Sequence, residues 1–266
     1  MTSLPTDLHL ELSSLRNFVN DQINAGNPNA LDFAYIIYLK LREDGVPQGE
    51  IGRLVSRWFV FSVLTGRYGS SPESTFDFDI KQISNRPFKE YLDSIEQAEL
   101  SDSFWNFGLI QRLDTSVASS PVFHVYQASQ VKSKDKGFLS RDISVESIIL
   151  YKGDIHHIYP KNYLKTNNKS RGDYNQIANY VLMQQEINIA IGAKSPNVYF
   201  QELKEQCIGA KMKYGAINNL DELLDNLKTH CIPESIFDSN IDGYEAFLNE
   251  RRKLMSEKIR LYYYTL

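Results

Sequence analysis

Two of the five histidines of this 266-residue chain are adjacent, in the run Asp154-Ile155-His156-His157-Ile158-Tyr159-Pro160-Lys161. The other three are dispersed, at His9, His124 and His230. Adjacent side chains of an extended segment point to opposite faces, so the two imidazoles cannot share one task. One can turn to a metal while the other turns to a substrate. Downstream stand Asn179 in Ile-Ala-Asn-Tyr, Asn188 in Glu-Ile-Asn-Ile, and Lys194 shortly after Gly192. Asparagine is a poor residue for strand and helix interiors, so its recurrence here asks for a polar reason.

That set suits hydrolysis of a phosphodiester with one metal ion. The reaction needs a general base to activate water, a cation to neutralise charge on the phosphate and the leaving oxygen, and a means of holding the base still. Imidazole titrates near neutral pH and is the usual base. On this reading His157 is the base, His156 and the amide oxygen of Asn188 are metal ligands, and Asn179 holds the loop that carries His157. Asn188 competes with a role as a helix-surface residue. Asp154 either orients a ligand by hydrogen bonding or caps a turn, and Lys161 and Lys194 either touch phosphate or are merely exposed. Oxygen ligands favour Mg²⁺, whereas an imidazole ligand brings Mn²⁺, Ni²⁺ or Zn²⁺ into competition. The expected metal is Mg²⁺ or Mn²⁺.

The run Asp154-Ile-His-His-Ile-Tyr-Pro, with Ala178-Asn179, Asn188 and Lys194 behind it, resembles the HNH (His-Me finger, ββα-metal) nucleases. The wider sequence is similar to the C-terminal nuclease domain of GmrSD-type modification-dependent restriction proteins, and the resemblance extends upstream through 58–83 and 107–131. It implies a metal-dependent DNA endonuclease acting in a restriction or phage-defence system, with His157 in the base position. His156 stands where many relatives carry a carboxylate. Full-length relatives also carry an N-terminal nucleotide-hydrolysing domain with an Asp-Gly-Gln-Gln-Arg signature, which has no counterpart here. The chain thus looks like the C-terminal half of such a protein, with that domain missing or supplied by a separate partner.

The surrounding elements must position these residues. Apolar residues at helical spacing predict a helix over 7–23, with Leu8, Leu12, Leu15, Val19 and Ile23 on one stripe. Asn27-Pro28 opens a second helix to about Glu43, Pro47 a third that ends at Gly66, and Ser71-Pro72 a fourth. Asn85-Arg86-Pro87 begins another, Phe104 to Leu113 packs as a further element, and Ser120-Pro121 starts a helix through Val131. Tyr35, Tyr38, Trp58, Phe59 and Phe61 suit either base stacking or, better given their spacing, a core. Ser144 caps a helical turn, and Ile148 to Tyr151 is short and β-prone. Residues 154–158 are the first strand of the ββα unit, 166–172 a polar loop, 180–183 the return strand, and 184–191 the helix bearing Asn188. Ser195-Pro196, Leu220 to Leu227 and Ile241 to Tyr262 supply the remaining helices.

The fold expected is mainly α with a small ββα-metal insertion: a helical domain at 1–137, an HNH-like domain at 138–206 and a C-terminal helical segment at 207–266. Its 42% hydrophobic and 23% charged residues are ordinary for a globular protein. The net charge of -4 is unusual for a nucleic-acid binder, since phosphate contacts come from Lys and Arg. Basic residues nevertheless cluster at Lys152, Lys161, Lys165, Lys169 and Arg171, and again at Arg251, Arg252, Lys253, Lys258 and Arg260. Either group can follow a DNA backbone or form a solvated face. Two cysteines without ligand spacing and an N-terminus without signal-peptide character fit the cytoplasm, and no apolar run is long enough for a membrane span. The competing expectation is a non-catalytic helical module that binds DNA or a partner through a degenerate HNH site. A third, an RNA-cutting toxin, has less behind it.

Overall fold

The computed structural model describes residues 28–266; the helix expected over 7–23 lies outside them. The described chain is mainly helical with one two-stranded antiparallel sheet. None of its helices is long and apolar enough to cross a membrane. It forms two compact units, one of residues 28–109, 119–125 and 259–266, the other of 110–118 and 126–258. Residues 207–258 therefore belong to the same unit as 138–206.

The first unit is built on α1 (Pro28–Glu43), α2 (Gln48–Thr65), α3 (Pro72–Asn85) and α4 (Phe88–Glu99). Pro28 and Pro72 open their helices where a missing N–H costs nothing. Gly66 closes α2 in the left-handed region, φ 69°, its N–H donating to the Ser62 carbonyl. Trp58 is fully buried and ringed by Phe33, Phe61, Phe88 and Tyr91 at 5.4–5.6 Å between centroids. Tyr38, Phe59 and Phe61 are buried too, so of the five aromatics weighed as stacking platforms only Tyr35 faces solvent. A π-helical turn, Phe104–Gly108, leads from this unit towards α5 (Leu109–Arg112).

α6 (Pro121–Lys132) and α13 (Tyr244–Tyr263) are shared between the units. The second unit adds α7 (Val145–Leu150), β1 (Ile155–His157), α8 (Lys161–Thr166), α9 (Arg171–Tyr174), β2 (Tyr180–Leu182), α10 (Gln185–Ile191), α11 (Pro196–Cys207) and α12 (Leu220–Thr229). Residues 148–150, expected to be β-prone, belong instead to α7. The Ser144 hydroxyl accepts from the Ser147 N–H at 3.1 Å, and Val145 and Ile148 pack on Leu182. A cap and a buried face outweigh the small helix penalty of β-branched residues. Gly137 sits so close beneath this cluster that a Cβ there would lie 2.6 Å from Ile148 Cδ1. The expected polar loop 166–172 gives way at Arg171 to α9, whose start is fixed by reciprocal bonds between Ser170 and Asp173. Asn179 lies in a 3-10 turn, Ile177–Asn179, just before β2 rather than on the strand itself.

Candidate active site

β1 and β2 pair so that Ile155 faces Leu182, His156 faces Val181 and His157 faces Tyr180. Because strand side chains alternate, His157 shares a face with Tyr180, Ile155 and Leu182, and His156 lies on the other with Val181. Ile155 and Leu182 join the apolar cluster of Val145 and Ile148. That burial fixes the strand register, since a slip of one residue would exchange the two imidazoles.

The His157 ring is half-buried, held edge-on by Tyr180 at 5.2 Å and Tyr174 at 6.3 Å. Its Nε2 lies 3.1 Å from Asn175 Oδ1. Nδ1 has no hydrogen-bond partner among the described residues and is not sealed from solvent. Burial lowers the pKa of His157; the bond to Asn175 opposes this, and the charges of Lys161 and His156 reinforce it. A lowered pKa leaves the imidazole neutral at neutral pH, the form a general base requires.

Asn179 is fully buried and all its polar bonds go to the backbone around this ring. Its Oδ1 accepts from the Tyr159 N–H at 2.8 Å, and its Nδ2 donates to the carbonyls of Tyr159 at 3.2 Å and Tyr174 at 3.1 Å. The Ile158 N–H donates to the Asn179 carbonyl at 2.9 Å. The turn that leaves β1 is thereby tied to the turn that enters β2. Arg251 of α13, with no exposed surface, donates to the carbonyls on either side of Asn179, those of Ala178 and Tyr180, both at 2.9 Å.

His156 is 8% exposed and its Nε2 is buried without a hydrogen-bond partner. Burial lowers its pKa, against a rise from nearby Asp154. An unpartnered buried nitrogen costs about 1–3 kcal/mol. Tyr38 Oη and Ser62 Oγ are also buried and unpartnered, but an imidazole nitrogen is a ligand type for Mn²⁺, Ni²⁺ and Zn²⁺. The donor chemistry at His156 therefore fits a metal. Asn188 is half-buried on α10, and its side chain has no hydrogen bond to the described residues. Gly192 ends that helix with its N–H on the Asn188 carbonyl. No group of three or more His, Cys, Asp and Glu suited to a metal occurs among the described residues.

Of the other expected site residues, Asp154 is exposed beside His156. Lys161 opens α8 with its Nζ 5.5 Å from the centre of the Tyr174 ring, and Lys165 lies one turn on at 5.7 Å. Lys194 points elsewhere: it pairs with Glu202 at 2.7 Å and bonds Tyr214 Oη. The bond from Lys194, and after it one that Tyr214 Oη donates to the same carboxylate, hold the Glu202 carboxyl down to about 2. Phosphate at Lys194 would have to displace a carboxylate already in place.

The second basic group is only in part a solvated face. Arg251 is buried, Arg252 pairs with Asp114 and Lys258 with Asp135, whereas Lys253 is exposed and Arg260 pairs with Asp102 at the surface. In the first group Lys169 pairs with Glu245, while Lys152, Lys161, Lys165 and Arg171 remain exposed. Asn175, Tyr174 and Arg251 are the residues that sequence reasoning missed. Asn175 had a signal, a third asparagine shortly before Asn179, whereas a buried Arg251 has none in an outwardly polar helix sequence.

The chain is 27% identical over 223 residues to an uncharacterised protein of Methanocaldococcus jannaschii, with 77% of this chain and 36% of that protein covered. It spans little more than a third of the relative's length. No family model and no solved structure matches the chain.

Proposed function

We propose that the second unit is a metal-dependent DNA endonuclease of the HNH type, with β1, β2 and α10 as its ββα element. The observation that carries the reading is the division of the two histidines. One imidazole is braced with an open nitrogen, and its neighbour on the opposite face keeps a buried nitrogen without a partner. His157 takes a proton from water as the water oxygen bonds to phosphorus. The ester P–O bond breaks, and the leaving oxygen takes its proton from solvent. Asn179 keeps the base in place, Lys161 contributes positive charge near the phosphate, and Asp154 lies where it can orient His156. His156 and Asn188 would hold a divalent cation, Mg²⁺ or Mn²⁺ before Ni²⁺ or Zn²⁺, which when bound neutralises charge on phosphate and leaving oxygen. Lys194 contributes only if substrate displaces Glu202. The role in restriction or phage defence rests on the resemblance of the motif, as does a nucleotide-hydrolysing partner domain.

Supercoiled plasmid incubated with wild type and with His157→Ala, in EDTA and in each of the four metals, tests this. The expected result is nicking that needs metal and falls by at least ~10²-fold in the variant. Wild-type cleavage by His157→Ala would sink it. The second reading, a helical module that binds DNA or a partner without cutting, is favoured by the net charge of -4 and by the internal pairing of the C-terminal basic residues. It predicts DNA retention in a gel without nicking under any of these conditions.

A further inference from the structure

Residues 170–180 are anchored beside His157 at several points. The Asp173 carbonyl accepts from Tyr244 Oη at 2.7 Å, and the Tyr174 carbonyl from Asn179 Nδ2 at 3.1 Å. Gln176 donates to the Gly172 carbonyl at 2.8 Å and accepts from Arg252 at 3.1 Å, and the Ile177 N–H donates to the Thr115 carbonyl at 2.9 Å. Asn175 stands between these anchors, its own N–H on the Arg171 carbonyl at 3.2 Å. Its side chain is left to face the imidazole, and it does so with its oxygen.

The identity of that atom matters. A neutral imidazole has one protonated and one bare nitrogen, and the partner of one decides the state of the other. An amide oxygen accepts only, so Nε2 must carry the hydrogen and Nδ1 the lone pair. Were the amide NH₂ to face the ring, Nε2 would accept and the hydrogen would move to Nδ1, the nitrogen open to solvent. A carboxylate would also accept, but would add a negative charge beside the phosphate.

We propose that Asn175 is a positioning residue that fixes His157 as its Nε2–H tautomer, so that Nδ1 is the nitrogen that takes the proton of the attacking water. This rests on the reading of His157 as the base. Asn175 touches neither substrate nor metal and acts only through the ring. The arrangement sets the amide in advance, so no reorganisation is needed when substrate binds.

The test compares wild type, Asn175→Ala, Asn175→Asp and His157→Ala. Single-turnover cleavage of a DNA duplex in Mn²⁺ is read beside duplex affinity, thermal unfolding and the ¹⁵N shifts of the His157 ring. Asn175→Ala is expected to slow cleavage by about 10–100-fold, the usual cost of removing a group that orients a site residue. Its affinity for the duplex should stay within about twofold, because no phosphate contact is lost. The ring ¹⁵N signals should pass from one tautomer to a mixture. Asn175→Asp keeps an oxygen acceptor and should restore the Nε2–H tautomer and a rate above that of Asn175→Ala. An Asn175→Ala protein that is folded, keeps the single Nε2–H tautomer and cuts at the wild-type rate overturns the proposal. If it cuts at that rate while His157→Ala does not, only the Asn175 role falls; if both cut, the base assignment falls with it. The ¹⁵N shifts decide the tautomer claim even where the isolated chain does not cut, since a single unchanged tautomer in Asn175→Ala contradicts it.

Discussion

The two units each bury a polar cluster, and the clusters are completed differently. In the first, Asp79 has no exposed surface and accepts four hydrogen bonds, two from Arg67 and one each from Tyr68 and Tyr91. Arg67 also binds Glu99 at 2.9 Å, and Trp58 Nε1 donates to Tyr68 Oη at 3.2 Å. Opposite charges meet and the aspartate has no unused acceptor position, so this cluster joins α2, α3 and α4 without inviting a ligand. In the second unit the side chains at β1 are incomplete: the buried His156 Nε2 has no partner, and only one nitrogen of the half-buried His157 is bonded. Asn179, between them in role, is fully used. Buried polar groups are normally satisfied; those of the Asp79 cluster are, and it holds the fold, whereas the proposed site rests on the nitrogens at β1 that are not.

That contrast can be broken by deleting one group from each cluster. Asp79→Asn should remove about 3–5 kcal/mol of stability, because it leaves Arg67 buried without its main counter-charge; urea unfolding with a loss below ~1 kcal/mol would show the network to be dispensable. His230 offers a pH-dependent comparison. It is a buried histidine whose ring is satisfied at both nitrogens, by the Lys136 carbonyl at 2.8 Å and Gln130 at 3.3 Å. Burial above all pushes it down to about 3. The folded value lies below the unfolded one of about 6.5, so between the two the unfolded chain binds the extra proton. Stability is therefore full above pH 6.5 and is lost as pH falls towards 3, with a slope approaching ~1.4 kcal/mol per pH unit. Unfolding curves at pH 7, 6 and 5 should show this slope, and His230→Phe should flatten it. The smallest effect is expected at His156. Replacing an unpartnered buried nitrogen by an apolar ring of similar shape is nearly neutral, so His156→Phe should unfold within about 1 kcal/mol of wild type. A loss as large as that of Asp79→Asn would mean that His156 is a structural residue with a partner.

How much of this the sequence disclosed depended on whether the signal was local. Pro28, Gly66, Ser71-Pro72, Ser144 and Ser195-Pro196 mark helix ends because each acts on its own backbone, and the helices begin or end beside them. The two-stranded pairing about His156 and His157 was expected from the resemblance of the run to the HNH nucleases, and alternation then sets the two imidazoles on opposite faces. Asn179 drew notice because its type was wrong for its place, and its three side-chain bonds give the reason. Ile148 and Ile149 misled because β propensity describes a surface that these residues never join; a serine cap and a buried face made them helical. Arg251 and Arg252 looked like solvated charge because α13 is polar in sequence, and their partners at 114, 176, 178, 180 and 230 are far away along the chain. The division of the described chain into 28–109 with 119–125 and 259–266, and 110–118 with 126–258, is discontinuous and therefore has no linker to read.

The most direct test of the proposed metal-dependent cleavage uses the variant that should be as stable as wild type. Supercoiled DNA is incubated in Mn²⁺ with wild type and with His156→Phe, after urea unfolding has shown the two to match. Nicking by wild type and none by His156→Phe is the predicted result, since the fold is intact and only the buried nitrogen is gone. Nicking by His156→Phe at the wild-type rate would contradict the account, because the unpartnered nitrogen would then have no part in the chemistry.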